Sequence, residues 1–345
     1  MQQIARKAWL EELTALQPGL SPLIVVEQSD CFLFHDGHVT TFNGEIACTI
    51  SSIAKLSGAV QASKLLQLLQ KLPDEVVSIE PSEAELSISG TRRHAGVRME
   101  ANIAIDLSEV TMPADNAWRP LPDTFCTAAG LANDCTSKDD SMFIMTCAHI
   151  TPNYVEGCDT HQACRATTPT GLRKPACIRR SAMQHISSLP LTRVAETKRW
   201  IHYGDANGLI ISCRRYTEDY PPLEEIITTT GQPVKLPDGI LSAAETAGIF
   251  AADDDKHEKI RVELHTGRLV VRGQGRHGWY KEVKRFAYTG PDMSFMITPK
   301  VLKRVLERGN DCQIPPKRLR VDAQKFIYVT SLFVDTEETT PPTEE

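Results

Sequence analysis

A stretch that returns at a fixed interval constrains this chain more than any other feature. Leu121-Pro122-Asp123 opens the run Leu121 to Ala132, and Leu236-Pro237-Asp238 opens the similar run Leu236 to Ala251. The two starts lie 115 residues apart, one third of a 345-residue chain. A period of that size predicts a worn copy in the first third, and the amphipathic segment Arg6 to Leu13 stands at the corresponding place. A second element repeats as well: Val60 to Leu68, Ile178 to Ile186 and Ile297 to Val305. Apolar residues hold equivalent positions in all three, first Val60, Ile178 and Ile297, then Leu65, Met183 and Leu302, then Leu68, Ile186 and Val305. The chain reads as three copies of one unit.

Copies of this length match the roughly 100–150 residues of a typical domain, and each can bury its own core. With 41% apolar and 24% charged residues the composition is that of a globular protein. No run approaches the roughly 18 apolar residues that span a bilayer. Met1 to Arg6 also lacks the apolar core of a secretory signal. The ten cysteines form no Cys-x-x-Cys pair, so they read as reduced thiols packed as small hydrophobes in a cytosolic protein. A net charge of −6 argues against a surface that binds nucleic acid everywhere. It leaves room for basic residues gathered on one face.

Periodicity predicts a helix over 5–16, apolar at Ala8, Trp9, Leu13 and Leu16 and stopped at Gln17-Pro18-Gly19. Strands are expected at Leu23 to Val26, Cys31 to Phe34, Val39 to Phe42 and Ile46 to Ile50, with Asp36-Gly37 as a hairpin turn. A second helix covers 62–71, and strands return at Val76 to Ile79 and Leu86 to Ser89. The order repeats with a helix over 122–133, strands at Met142 to Thr146 and Tyr154 to Cys158, and a helix from Arg180. Strands at Trp200 to Tyr203 and Leu209 to Cys213 close that copy. The third copy has a helix over 237–249, an acidic turn at Asp253-Asp254-Asp255, and strands at Ile260 to Leu264 and Leu269 to Arg272. Its second helix covers 299–308, with Pro299 favoured in the first turn, and its last strands are Leu319 to Val321 and Phe326 to Val329. Boundaries therefore fall to give domains 1–113, 114–230 and 231–334. Residues 335–345, acidic and rich in Thr and Pro, are expected to be a disordered tail.

Charge is shared unevenly among these helices. Those at 122–133 and 237–249 hold no Lys or Arg. The second helices and their approaches hold Lys64 and Lys71, then Arg173, Lys174, Arg179 and Arg180, then Lys300, Lys303, Arg304 and Arg308. Lys300, Lys303 and Arg304 share one side by i, i+3, i+4 spacing. A solvated face is the ordinary explanation. The same bias at the same place in three copies points instead to a surface that faces a polyanion.

Catalytic signals are weaker. His149, Cys158, Asp159 and His161 supply zinc-ligand residue types and suggest, as an alternative, a metal-dependent hydrolase. Alternation of Cys158, Thr160 and Gln162 with Asp159, His161 and Ala163 argues against convergence. His35-Asp36-Gly37-His38 sits on a hairpin tip, and the glycines of Arg272 to Gly278 lack the following helix of a phosphate loop.

The order of helix, strands, helix, strands, three times over, resembles the bacterial DNA polymerase sliding clamp, the β subunit family. The stretches that carry the likeness are Val60 to Pro73, Cys158 to Ala163, Ser212 to Leu223, Leu236 to Phe250, Phe295 to Leu306 and Ile327 to Phe333. The resemblance implies an α+β chain of three tandem clamp domains, each with two helices packed on antiparallel sheets, and two chains closed into a ring. It implies a non-catalytic processivity factor without cofactor or metal that encircles duplex DNA irrespective of sequence, in the cytoplasm with the nucleoid. Its partners would be DNA polymerase, clamp-loader peptides and a second copy of itself, with no membrane. A clamp-derived scaffold that no longer encircles DNA is a further alternative.

With that resemblance, the charge bias makes Lys64, Lys71, Arg173, Lys174, Arg179, Arg180, Lys300, Lys303, Arg304 and Arg308, together with Arg92 and Arg93, the expected DNA contacts. The pocket and interface residues are carried over by position. A partner-peptide pocket would be lined by Cys158, Thr160, His161, Ala163, Pro221, Glu225, Ile226, Leu332 and Phe333. Ile249 and Phe250 would meet the other chain. The sequence departs from the family's pattern at three places. Thr160-His161-Gln162-Ala163 stands for the usual Gly-His-Arg-Leu, Glu225 for a basic residue, and Ser63 for an arginine that precedes Lys64 in relatives. The tail after Phe333 is an addition.

Overall fold

A computed structural model describes residues 1–21, 26–251 and 258–333. The expected strand at Leu23 to Val26 lies outside these but for Val26, and the acidic turn at Asp253 and the tail 335–345 lie outside altogether. The helices are α1 (Arg6–Ala15), α2 (Ala62–Lys71), α3 (Thr124–Cys135), α4 (Arg180–Ser188), the single turn α5 (Glu224–Ile227), α6 (Ile240–Ala251) and α7 (Pro299–Arg308). They fall in pairs: α1 packs on α2 and α6 on α7. In α3, Gly130 lies against Ser187 of α4, where a Cβ would sit at ordinary contact distance.

The chain divides into two compact units, residues 1–133 with 146–155 and 168–220, and residues 134–145 with 156–167 and 221–345. The first unit is organised on a twelve-stranded sheet, antiparallel throughout. Ile46–Ser51 of the first copy pairs there with Ile210–Arg214 of the second, Ile211 opposite Cys48. In the second unit Gln162–Thr167 pairs with Phe326–Ser331, Ala163 opposite Val329. The middle copy thus lends strands to both neighbours, which is why the compact units number two although the sequence repeats three times. A separate four-stranded sheet in the second unit holds Ile260–His265, Arg268–Gly275, Gly278–Arg285 and Met293–Ile297.

Burial follows the expected periods. Trp9, Leu13 and Leu16 are buried, as are Leu65, Leu66 and Leu69 on α2 and Leu302 and Val305 on α7. In the first unit Trp200 packs with Leu33, Phe42, Ala47, Ala59, Ile105 and Val110. Its indole N–H donates to the Glu109 carbonyl at 2.8 Å, so the one polar atom of a large apolar group is satisfied. The hairpin at Asp36-Gly37 forms with both residues at positive φ, 49° and 75°, the twist that matches its strands.

Two expectations fail locally. Ala8 is exposed, because the stripe of α1 is narrow and runs through Trp9 and Leu13. Residues Asp140–Thr146 form a 3₁₀ segment, not a strand. The Asp139 carboxylate accepts from the Ser141 N–H at 2.9 Å and starts a turn, so the strand begins only at Cys147.

Candidate functional site

The basic second helices hold their shape for reasons written in their own residues. Gln61 caps α2, its Oε1 accepting the Lys64 N–H at 3.0 Å, and Lys71 stands in the last turn, where a cation suits the helix dipole. Burial of Leu65, Leu66 and Leu69 turns Lys64 and Lys71 outward, and both are exposed. In α7, Thr298 caps and Pro299 opens the helix. Burial of Leu302 and Val305 leaves Lys300 and Lys303 exposed and Arg304 half-buried beside them. Arg173 and Lys174 are exposed in the approach to Ala176–Arg179, while Arg179 and Arg180 are half-buried at the start of α4. Arg180 donates to the Asn133 carbonyl at 2.7 Å. Arg92, at φ 103°, and Arg93 are exposed at a strand turn. The Thr91 N–H and the Arg93 guanidinium, 3.3 Å away, hold the Asp74 carboxyl below the usual range.

Arg308 departs from the expectation of a free phosphate contact. Its side chain is only 8% exposed and pairs with Asp134 at 3.3 Å. The aromatic strand beneath it and the preceding helical turn hold it in the fold.

In the second unit a cavity of about 220 Å³ opens where Gln162–Thr167 meets Phe326–Ser331. Cys158, Ala163 and Val329 give it an apolar floor, and Pro221, Leu223 and Ile226 an apolar wall. Its rim is fixed by an Asx turn, in which Asp159 Oδ1 accepts the His161 and Gln162 N–H groups at 2.7 and 2.9 Å. Gln162 continues the network, donating to Asp159 Oδ2 and accepting from the Tyr328 hydroxyl, both at 2.9 Å. Six expected residues meet here: Cys158, Thr160, His161, Ala163, Pro221 and Ile226.

Three do not. Glu225 is exposed outside the lining. Leu332 is buried, its N–H bonded to the Lys317 carbonyl. Phe333 bridges to Met296 and lies under the Lys259 ammonium at 4.6 Å. The end of that strand supplies Val329, Thr330 and Ser331 to the lining, and beyond it the backbone N–H groups of Leu332 and Phe333 are tied to the Lys317 and Met296 carbonyls. Arg318 also lines the cavity, with no residue pattern to announce it.

Ile249 is 69% exposed, an unusual setting for isoleucine, and Phe250 stacks on Tyr280 with centroids 6.4 Å apart. The suggested hydrolase cluster is engaged otherwise. His149 stacks on Tyr220 at 4.9 Å, and the Asp159 oxygens are taken as above. Among the described residues no group of three or more His, Cys, Asp or Glu is placed to hold a metal ion. All ten cysteines are free thiols and eight are buried. Burial pushes Cys48 and Cys312 up to about 12 and Cys147 to about 11, far from a reactive thiolate. No described helix is long and apolar enough to cross a membrane.

No family model matches the chain, and no curated protein matches it by sequence. Solved structures do match. The DNA polymerase III β subunit of Thermotoga maritima is similar over 96% of this chain and 98% of its own, at TM-score 0.80 and 14% identity. The DnaN sliding clamp of Pseudomonas aeruginosa bound to griselimycin gives the same coverages at TM-score 0.82 and 14% identity. The chain has the sliding-clamp fold. A DNA polymerase III β subunit of Eubacterium rectale agrees, at TM-score 0.81 and 15% identity over 96% and 98%. Identity this low leaves the clamp fold visible in the backbone while most side chains differ.

Proposed function

We propose that the protein is a DNA sliding clamp, a processivity factor without catalytic activity that encircles duplex DNA and tethers a polymerase. The observation that carries the reading is full-length likeness to sliding clamps, 96% of this chain against 98% of that one. Partial likeness would leave room for a borrowed domain. Three tandem domains, 1–113, 114–230 and 231–334, would supply half a ring each time the chain is used. A second copy would close it through Ile249 and Phe250, in the isologous manner that gives two-fold symmetry.

Within the ring Lys64, Lys71, Arg173, Lys174, Lys300 and Lys303 would meet phosphates, helped by Arg92, Arg93, Arg179, Arg180 and Arg304. Such contacts hold DNA without reading its sequence. The cavity at Cys158, Ala163 and Ile226 would receive a short apolar segment of the polymerase or of the loader. Work of this kind places the protein in the cytoplasm with the nucleoid. Light scattering tests the first requirement. A closed ring needs two chains, so a particle of twice the chain mass supports the reading and a monomer at micromolar concentration contradicts it.

A further inference from the structure

The four-stranded sheet of the second unit sets like charges side by side. Its register places Arg261 opposite Arg272, and Arg272 opposite Lys281. Four residues along, His265 lies opposite Arg268, and Arg268 opposite Arg285. Side chains alternate across a sheet, so all of these share one face. The other face lies under α6, where Gly273 abuts Ala247 so closely that a Cβ would overlap its carbonyl, and Tyr280 stacks on Phe250. The outward face of these three strands therefore carries five Lys or Arg against a single acid, Glu263.

Like charges directly opposite one another destabilise a pair of strands, and neutralisation here is partial. Glu263 pairs with Arg272 at 2.8 Å and with His265 at 3.6 Å, and Asp292, just before the fourth strand, pairs with His265 at 2.8 Å and lies near Arg268. Arg268, Lys281 and Arg285 are exposed and make no side-chain hydrogen bond or ion pair among the described residues. Beside the basic rows stands Trp279, 71% exposed, while Trp9 and Trp200 are buried and Trp118 lies 4.5 Å from the Arg193 guanidinium. Between the rows runs the apolar pair Val270 and Val283. The rows are about 13 Å apart, four strand residues.

We propose that this outward face binds single-stranded nucleic acid, with phosphates on the two basic rows and a base stacked on Trp279. Concentrated cation on a chain of net charge −6 calls for a polyanion. The exposed indole selects a single strand, whose bases have free faces, over a duplex, whose bases are already stacked. An acidic polypeptide would satisfy the charge but leave the indole in water. The face is separate from the helices that the clamp reading assigns to DNA, and from the Ile249–Phe250 side of the sheet.

The test is fluorescence anisotropy of a labelled oligothymidylate with the full chain, at low and raised salt. Binding should weaken as salt rises. Lys281→Glu with Arg285→Glu should weaken it by at least about tenfold, because phosphate contacts are lost and repulsion is added. Trp279→Ala should weaken it by roughly 5- to 150-fold, the range for loss of one stacked base. Indole fluorescence should be quenched in the wild type and not in Trp279→Phe. Lys55→Ala with Lys198→Ala, two exposed lysines of the first unit that no reading assigns to nucleic acid, should leave the affinity within about twofold.

Several results would overturn the proposal. One is no binding at all, and another is binding that survives both surface variants. A third is binding that both surface variants leave intact but that Lys300→Ala with Lys303→Ala abolishes, which would move the oligonucleotide to α7. Competition by polyglutamate as strong as by oligothymidylate would identify an acidic polypeptide as the occupant. A halved particle mass in the charge-reversed variant would identify a second copy. Retention on circular DNA depends on none of these side chains, so failure here and failure of the clamp reading are separable.

Discussion

The Arg308 guanidinium lies 4.8 Å from the centre of the Tyr328 ring. Its Nη1 donates to the Arg304 carbonyl at 2.9 Å, and its Nη2 reaches the Asp134 carboxylate. Of the four basic residues on α7 this one is part of the packing, and the others stand off it. Arg308→Ala should therefore cost about 1–3 kcal/mol in urea denaturation, from the lost cation–π contact and hydrogen bonds. Lys300→Ala and Lys303→Ala should each stay within about 0.5 kcal/mol while reducing the salt slope of DNA association. Equal destabilisation by all three would contradict the division.

Ile249 and Phe250 test self-association. Ile249 is mostly in water in the single chain, so removing it from a core cannot be the effect of changing it. Ile249→Asp with Phe250→Arg should give a folded chain of half the wild-type particle mass by light scattering, with its circular dichroism retained. A variant that unfolds, or one that keeps the wild-type mass, would remove this pair from the interface.

The cavity beside α5 makes a different demand. Ile226 is half-buried in its wall, and Ile226→Ala should weaken a leucine- or phenylalanine-anchored peptide by more than about 1 kcal/mol if it is an anchor contact. Calorimetry with such a peptide reads this directly. Deleting Leu332 and Phe333 is a poorer probe, because buried Leu332 and bridged Phe333 hold the end of the last strand. Unchanged affinity in Ile226→Ala would place docking elsewhere.

His202 gives the first unit a pH dependence. It is fully buried, bonded to Ser212 at 2.8 Å and Thr197 at 3.2 Å, and burial pushes its pKa down from 6.5 to about 4. The folded chain keeps it neutral while the unfolded chain protonates it near its ordinary value. Its contribution is thus complete above about pH 6.5 and is lost as pH falls toward 4, on the order of a few kcal/mol in all. Melting of the wild type should fall more steeply over this window than that of His202→Gln. Parallel curves would show that His202 is not the titrating group.

Much of this architecture was legible because period and burial agree. Leu65, Leu69, Leu302 and Val305 recur on helical spacing and are buried as that spacing requires. Pro299 and Thr298 mark the start of α7 within a residue. What stayed hidden depends on partners distant in sequence. Nothing in the neighbourhood of Arg308 announces that Tyr328 and Asp134 will surround it. Arg318 enters the cavity wall only because its strand pairs with Phe326–Ser331, and the like-charged rows at Arg261, Arg272 and Lys281 exist only once register is fixed. Leu332 and Phe333 stand outside the cavity lining for the same reason: where a strand ends and turns to the core is set by tertiary contacts.

Topology is the claim on which everything else rests, and one measurement addresses it. Protein placed on closed circular DNA by its loader is challenged with salt, and its release is followed beside that from linear DNA of equal length. An encircling ring cannot leave a closed circle without opening, whereas linear DNA offers ends from which it can slide. The sliding-clamp account predicts prolonged retention on circles at salt that strips the linear molecules, and loss of that retention when the circles are cut once. Equal release from circles and linear DNA would show that the protein binds DNA as an ordinary surface, and would contradict the account.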